Sequence, residues 1–231
     1  MKRNNLWLIP CAFFLVCCVL DLISCTTGDD RLECCVKPAL MLTLCITSLT
    51  WLHGRQDSIV RPCLIPLLLC GQLFGFAGDT MLMGRGFPFF AGGIGLFLIG
   101  HIFYITLFGK LSLKGLRPWQ WIAGIAAGLA IVAAAAIIVG AHGAIVVPMG
   151  IYAMALVMLI FSTLMGVIRF GGLTWWLLLA GALLFTFSDA LIGVRSFGVI
   201  SPFMNGFVIM ITYLAAQVLL AVGGLRLIAG K

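Results

Sequence analysis

The chain has 231 residues, of which 63% are hydrophobic and 9% charged, and its formal net charge is +7. At a mean hydropathy of +1.21 a soluble domain of this length has no way to hide its apolar surface, so most of it is solvated by lipid. The basic residues are scattered through short connections and ends without interleaved aromatics, which excludes a nucleic-acid interface and leaves orientation and headgroup contact as their task.

Polar and Gly/Pro clusters divide the sequence into eight apolar segments, at about 6–24, 36–53, 62–83, 88–108, 119–140, 144–168, 173–194 and 203–227. Unpaired backbone groups are not tolerated in lipid, and no alternating barrel pattern occurs, so these are expected to be helices. The expected fold is an all-α, polytopic membrane protein, one integral domain over 1–231 with eight transmembrane helices. Its setting is a bacterial inner membrane or a eukaryotic endomembrane.

The first span follows Met1-Lys2-Arg3, and Leu22-Ile23-Ser24-Cys25 resembles a lipoprotein cleavage box. Its apolar run is long for a signal peptide, however, and Asp21 interrupts it just before the supposed cut, so a retained first helix is expected. Asp29-Asp30-Arg31 reads as the following loop, and Lys37-Pro38 as the opening of the second span. Cys25, Cys34 and Cys35 flank that loop and are open to oxidation only if it faces an oxidising compartment. The nine cysteines contain no C-x-x-C, and cysteine is a common small buried hydrophobe.

The third span ends in Asp79 and the seventh in Asp189, in nearly the same frame. Aligned on the aspartates, Gly71 matches Gly181, Leu73 matches Leu183, Arg85 matches Arg195 and Phe87 matches Phe197. An ionisable group at membrane depth costs at least a few kcal/mol, so each acid marks a functional site, and two in matching frames suggest one shared site. The repetition also suggests a parallel repeat of four helices plus four. On α-helical spacing Gln72, Gly71 and Gly75 share a face with Asp79, a small groove leading to the acid. Ser188 and Thr186 accompany Asp189.

Among the other spans, the fourth carries His101 with Tyr104 one turn on, and His101 falls deeper than the aspartates. His53 and His142 read as loop or interface residues. Gly124-x-x-x-Gly128 in span 5 permits a close helix contact. Tyr152 lies one turn below Pro148 in span 6, at a depth close to the aspartates. Tyr213 and Gln217 share a face of span 8, and an intramembrane Gln needs a partner, so that face is expected to point inward. Structural packing is the plainer alternative for each of these polar residues.

The Lys/Arg distribution sets the orientation. Lys2, Arg3, Arg55, Arg61, Lys110, Lys114, Arg117, Arg169, Arg226 and Lys231 fall on one side, against Arg31, Lys37, Arg85 and Arg195 on the other. The excess puts both termini in the cytoplasm. Both aspartates then lie in the non-cytoplasmic half, roughly 9 Å (six residues of helix rise) below Arg85 and Arg195. Those arginines either clamp a phosphate or snorkel to the headgroups.

No G-x-S-x-G elbow, H-E-x-x-H helix or Walker loop occurs, so a serine lipase, a zincin and an ATPase are unsupported. No motif calls for a cofactor or metal.

Taken in order, Lys37-Pro38, Gly78-Asp79-x-x-Leu82, His101-x-x-Tyr104, Pro148-x-x-x-Tyr152, Phe187-Ser188-Asp189 and Tyr213-x-x-x-Gln217 resemble the YhhN family of integral membrane proteins, whose animal members include lysoplasmalogenases. The resemblance spans nearly the whole chain; the cysteine-rich loop and glycine-heavy span 4 depart from it without touching the acidic motifs. It implies an eight-helix enzyme that hydrolyses the vinyl-ether bond of lysoplasmalogens, giving a fatty aldehyde and a glycerophospho-headgroup. The partners it implies are a lysophospholipid substrate and membrane lipids. Asp79 and Asp189 would be catalytic, with His101, Tyr104, Tyr152, Tyr213, Gln217, Ser188, Lys37, Arg85 and Arg195 binding substrate.

The chemistry agrees with that implication. A vinyl ether offers no carbonyl to a nucleophile; its cleavage begins when an acid protonates the alkene carbon. A carboxyl in a low-dielectric site favours its neutral form and can act as general acid. An ionised partner would stabilise the cation and deprotonate water, as glycosidases divide the task, and which aspartate takes which role is open. The hydrocarbon tail is expected where Gly71, Gly75 and Gly78 leave room, and the headgroup at Arg85 or Arg195. A proton-coupled transporter and a lipid-binding scaffold are the rival classes for the same aspartates.

Overall fold

Lipid offers no partner to a peptide N–H, so a chain this apolar has to close its backbone hydrogen bonds within each crossing. In the computed structural model, which describes residues 5–140, 142–143, 146–196 and 205–231, helices do this. Lys2, Arg3 and Phe197, used in the reading above, lie outside the described residues. The helices are α1 (Leu8–Thr27), α2 (Asp30–His53), α3 (Ile65–Leu82), α4 (Phe87–Ser112), α5 (Pro118–Val139), α6 (Val146–Phe170), α7 (Gly172–Ser196) and α8 (Gly206–Ile228). All eight are long and apolar enough to cross a membrane.

The largest departure from the expected boundaries is at the start of α2. α2 begins at Asp30, so Asp30-Arg31 belong to the helix and Pro38 sits inside it. The Asp29 carboxylate accepts from the backbone N–H of Arg31 at 3.0 Å and of Leu32 at 3.2 Å, an N-cap that reaches back beyond the apolar run. Glu33 and Lys37, one turn apart, close a 2.6 Å ion pair on the added turns. Cys34 and Cys35 are consequently exposed on a helix, and all nine cysteines are free thiols.

α2, α3, α4, α6, α7 and α8 pack in sequence into a ring that closes where α8 meets α2. α1 lies outside against α2 and α8, and α5 outside against α6. The α5–α6 seam uses Gly124, which faces the Phe161 ring, and Gly128, which faces Met154 and Val157. α8 is the most enclosed span, because α1, α2, α3 and α7 all contact it.

Arginines fasten the helix ends on the side that carries the C-terminus. Arg61 donates to the Leu227 carbonyl at 2.7 Å, and Arg169 to those of Ser112 and Lys114 at 2.7 and 2.6 Å. The last carbonyls of a helix have no intrahelical partner, and cations suit that negative end of the dipole. His53 lies at the end of α2 on this side and His142 in the α5–α6 connection on the other, bonded locally to Gln56 and the Gly140 carbonyl.

The packing yields a stability test. A Cβ built on Gly166 of α6 would stand 1.8 Å from the Trp175 ring of α7, whereas one on Gly95 meets nothing within 4 Å. Gly166→Ala is expected to cost about 1–3 kcal/mol by overpacking, and Gly95→Ala to be neutral or slightly stabilising. Thermal unfolding of both variants in detergent checks this.

Candidate active site

The turn of α3 just before its end delivers Asp79 to the interior, and α7 delivers Asp189 two turns before its own end. Tyr213 of α8 donates its hydroxyl to Asp79 Oδ2 at 2.6 Å. Tyr152 of α6 donates its hydroxyl to Asp189 Oδ2. Each carboxyl is thus held by a tyrosine from another helix of the ring, with its second oxygen left for another contact. Asp79 is sealed, at 4% exposure, while Asp189 is half-buried. Asp79 is one of the charged neighbours of both Asp189 and Tyr152, and Asp189 of Tyr213, so the four groups form one cluster.

Aromatic rings wall the cluster. Phe97 and Phe185 stand edge-on to Tyr213 with centroids 6.2 and 5.5 Å away. His101 meets Phe185 at 4.6 Å and Tyr152 at 5.6 Å, again near perpendicular. Its Nδ1 lies 2.7 Å from the Phe97 carbonyl. A carbonyl only accepts, so Nδ1 carries the proton, and Nε2 is left as a buried acceptor with no partner. His101 therefore backs Tyr152 and does not reach a carboxyl directly.

Behind Tyr213, Tyr104 donates to Gln217 Oε1 at 3.3 Å, and Gln217 lies one turn from Tyr213 on the same buried face of α8. Tyr104, Gln217, Tyr213 and Asp79 thereby form a line of polar groups through three helices. Lys37 of α2 counts Asp79 among its charged neighbours. The remaining sequence candidates fall elsewhere. Ser188 donates to the Ile209 carbonyl at 2.9 Å and ties α7 to α8. Arg85 is exposed, 3.9 Å from Asp30, and Arg195 is exposed as well.

The room expected at the glycines of α3 is occupied. The Tyr104 ring fills the space over Gly71, Met41 and Gln217 that over Gly75, and the Phe97 ring that over Gly78, with nearest approaches of 2.9, 3.2 and 2.9 Å to a built Cβ. Missing side chains here let the protein's own rings approach, and Gln72 turns aside to donate to Ser48 Oγ at 2.9 Å. An open slot lies instead between Leu82, Phe90 and Ile94 on one side and Met149, Ile192 and Gly193 on the other, with Tyr152 and Asp189 in its wall. It encloses about 20 Å³, enough for one water molecule beside Asp189. Among the described residues no group of three His, Cys, Asp or Glu side chains is placed to hold a metal ion.

One acid was not foreseen as part of this layer. Asp21 of α1 is fully buried, and neither of its carboxylate oxygens has a hydrogen-bond partner among the described residues. Its only signal in the sequence is an acid inside an apolar run.

A model of the YhhN family matches residues 32–224. The chain belongs to the YhhN family. Lysoplasmalogenase TMEM86A of Bos taurus is 30% identical to this YhhN protein over 237 residues, covering 98% of the chain and 91% of the relative. Lysoplasmalogenase TMEM86A of Homo sapiens is 28% identical over 230 residues with the same coverage of each. No solved structure matches the chain.

The geometry of the cluster is testable without substrate. A double-mutant cycle of Tyr213→Phe with Asp79→Asn is expected to show a coupling of about 0.5–3 kcal/mol in unfolding free energy. The same holds for Tyr152→Phe with Asp189→Asn, and strict additivity in either cycle would deny the contact.

Proposed function

We propose that this YhhN protein hydrolyses the alkenyl-ether bond of a lysoplasmalogen, releasing a fatty aldehyde and a glycerophospho-headgroup, with Asp79 and Asp189 as the acid–base pair. The observation that carries this reading is the joint cluster of two tyrosine-held carboxyls beside an apolar slot at membrane depth. Full-length similarity to proteins named lysoplasmalogenase supports the substrate.

The reaction needs a proton delivered to carbon, not a nucleophile. One carboxyl, neutral in the low-dielectric cluster, protonates the alkene carbon remote from oxygen and becomes a carboxylate. The oxocarbenium ion formed is stabilised by the neighbouring negative charge. Water adds to its carbon while the second carboxylate takes the water's proton. The hemiacetal then breaks its bond to the glycerol oxygen, which leaves protonated as the hemiacetal hydroxyl becomes the aldehyde. Tyr152 and Tyr213 orient the two carboxyls by bonding one oxygen of each and leaving the other for substrate. The chain next to the ether enters along the apolar mouth of the slot, between Leu82, Phe90, Ile94 and Met149, the enclosed part beside Asp189 takes the attacking water, and the ring of Phe97, Phe185 and His101 keeps bulk water out.

With the basic residues inside, the cluster lies in the non-cytoplasmic half of the membrane. Purified protein in detergent should release aldehyde from a lysoplasmalogen, and folded Asp79→Asn and Asp189→Asn should each lose at least about 100-fold of that rate. No release by wild type sinks the reading; release that survives either substitution sinks the acid pair.

The slot makes a separate prediction. Gly193 faces Met149 across it, with 3.2 Å between a built Cβ and the methionine's terminal methyl. Gly193→Leu fills the slot, so turnover of long-chain substrate should fall more than about tenfold while a short-chain analogue is spared. Equal loss on both chain lengths would place the hydrocarbon elsewhere.

A further inference from the structure

Three acids, Asp21, Asp79 and Asp189, lie in the spans beyond their first turn and near the same end of the bundle, and two of them are bonded to tyrosines. The third, Asp21, is fully buried in α1 with both oxygens unpartnered. A buried acceptor left empty is destabilising, and a charged one more so. No side chain among the described residues supplies a donor to either oxygen.

Its charged neighbours are Lys37 and Glu33. Lys37 does not fill the gap, because its ammonium donates to Glu33 at 2.6 Å. Lys37 and Asp21 are both charged neighbours of Asp79, so the three groups lie close together. From the slot inward the groups therefore run apolar wall, Asp189, Asp79, and then Lys37 with Asp21. A lysolipid with an amine headgroup has the same order: hydrocarbon, ether bond, phosphate, ammonium. With the ether bond at the carboxyl pair, the phosphate falls toward Lys37 and the amine toward Asp21.

The donor count refines the match. A primary ammonium brings three N–H donors to oxygens that have none, whereas a quaternary ammonium brings charge without a donor. We propose that Asp21 is a specificity-determining residue that takes the ammonium end of the headgroup, with Lys37 on the phosphate, and that it favours ethanolamine over choline. The proposal rests on the lysolipid reading above. Entry of the headgroup requires α1 to part from α2 and α8, the helices it packs against.

Binding of uncleavable ligands tests this apart from turnover. Saturated 1-alkyl-ether lysolipids bearing phosphoethanolamine, phosphocholine or a bare phosphate would be titrated into the purified full chain and read by native mass spectrometry. Wild type is expected to bind the ethanolamine form about tenfold more tightly than the choline form, the worth of one charge-assisted hydrogen bond. Asp21→Asn should bring the two within about twofold while leaving the bare phosphate unchanged, and Asp21→Glu should keep the preference. Binding by wild type without preference overturns the proposal alone, as does equal weakening of all three ligands in Asp21→Asn. Should Asp21→Asn fail to fold, the wild-type ratio and its retention in Asp21→Glu decide. Binding of none of the three overturns the lysolipid reading, and this proposal with it.

Discussion

The hydrogen bond from a tyrosine hydroxyl to a carboxyl buried at membrane depth is the constraint on which the rest of the structure depends. An acid in lipid costs several kcal/mol unless it is paired or points into a cavity. Here Tyr213 reaches across from α8 to Asp79, and Tyr152 from α6 to Asp189. Those two bonds require four helices to hold their relative depth and rotation. The close passage of α3 against α4, where a Cβ on Gly100 would approach the Gly71 carbonyl to 3.2 Å, and the Ser188 bond to the α8 backbone supply that rigidity. Gln217, bonded by Tyr104, then supports Tyr213 from behind.

The same arrangement suits the chemistry of an alkenyl ether. Protonation at carbon is slow in water because the cation it generates is unstabilised and the acid is weak at neutral pH. In the proposed reaction a dry pair of carboxyls would supply a proton on one and a fixed negative charge on the other, without reorganising solvent as the reaction proceeds. The edges and faces of Phe97, Phe185 and the neutral-tautomer His101 surround this pair with low polarizing power. A transporter built on the same acids would need them to exchange access between two sides. α3 and α7 instead run unbroken through Asp79 and Asp189.

Much of this was legible in the sequence, because the strongest signals in a membrane chain are also the costliest residues. The eight apolar runs marked the helices, and the matching frames of Asp79 and Asp189 placed both acids near one end. The i,i+4 spacing of Tyr213 and Gln217 marked the inward face of α8. Other features were hidden for physical reasons. The start of α2 depends on the Asp29 cap and the Glu33–Lys37 pair, which lie outside any apolar periodicity. Glycines at 71, 75 and 78 signal close approach, but a sequence does not say whether a ligand or the chain's own Tyr104, Met41 and Phe97 makes it. Arg85 and Arg195 have the charge for a phosphate, yet both extend into exposed surface, and Lys37 from a different helix is the cation beside Asp79. Asp21 reads as a blemish in a signal-like helix until the fold turns it inward.

The central claim is that catalysis begins with proton transfer from a carboxyl to the alkene carbon, and turnover in heavy water addresses it most directly. Carboxyl protons exchange with solvent, so the aldehyde formed in D₂O, reduced at once to prevent later exchange, should carry one deuterium on the carbon next to the carbonyl carbon. Oxygen from labelled water should appear on the carbonyl of the unreduced product. Aldehyde formed without deuterium at that carbon would contradict protonation as the first step and, with it, the role given to Asp79 and Asp189.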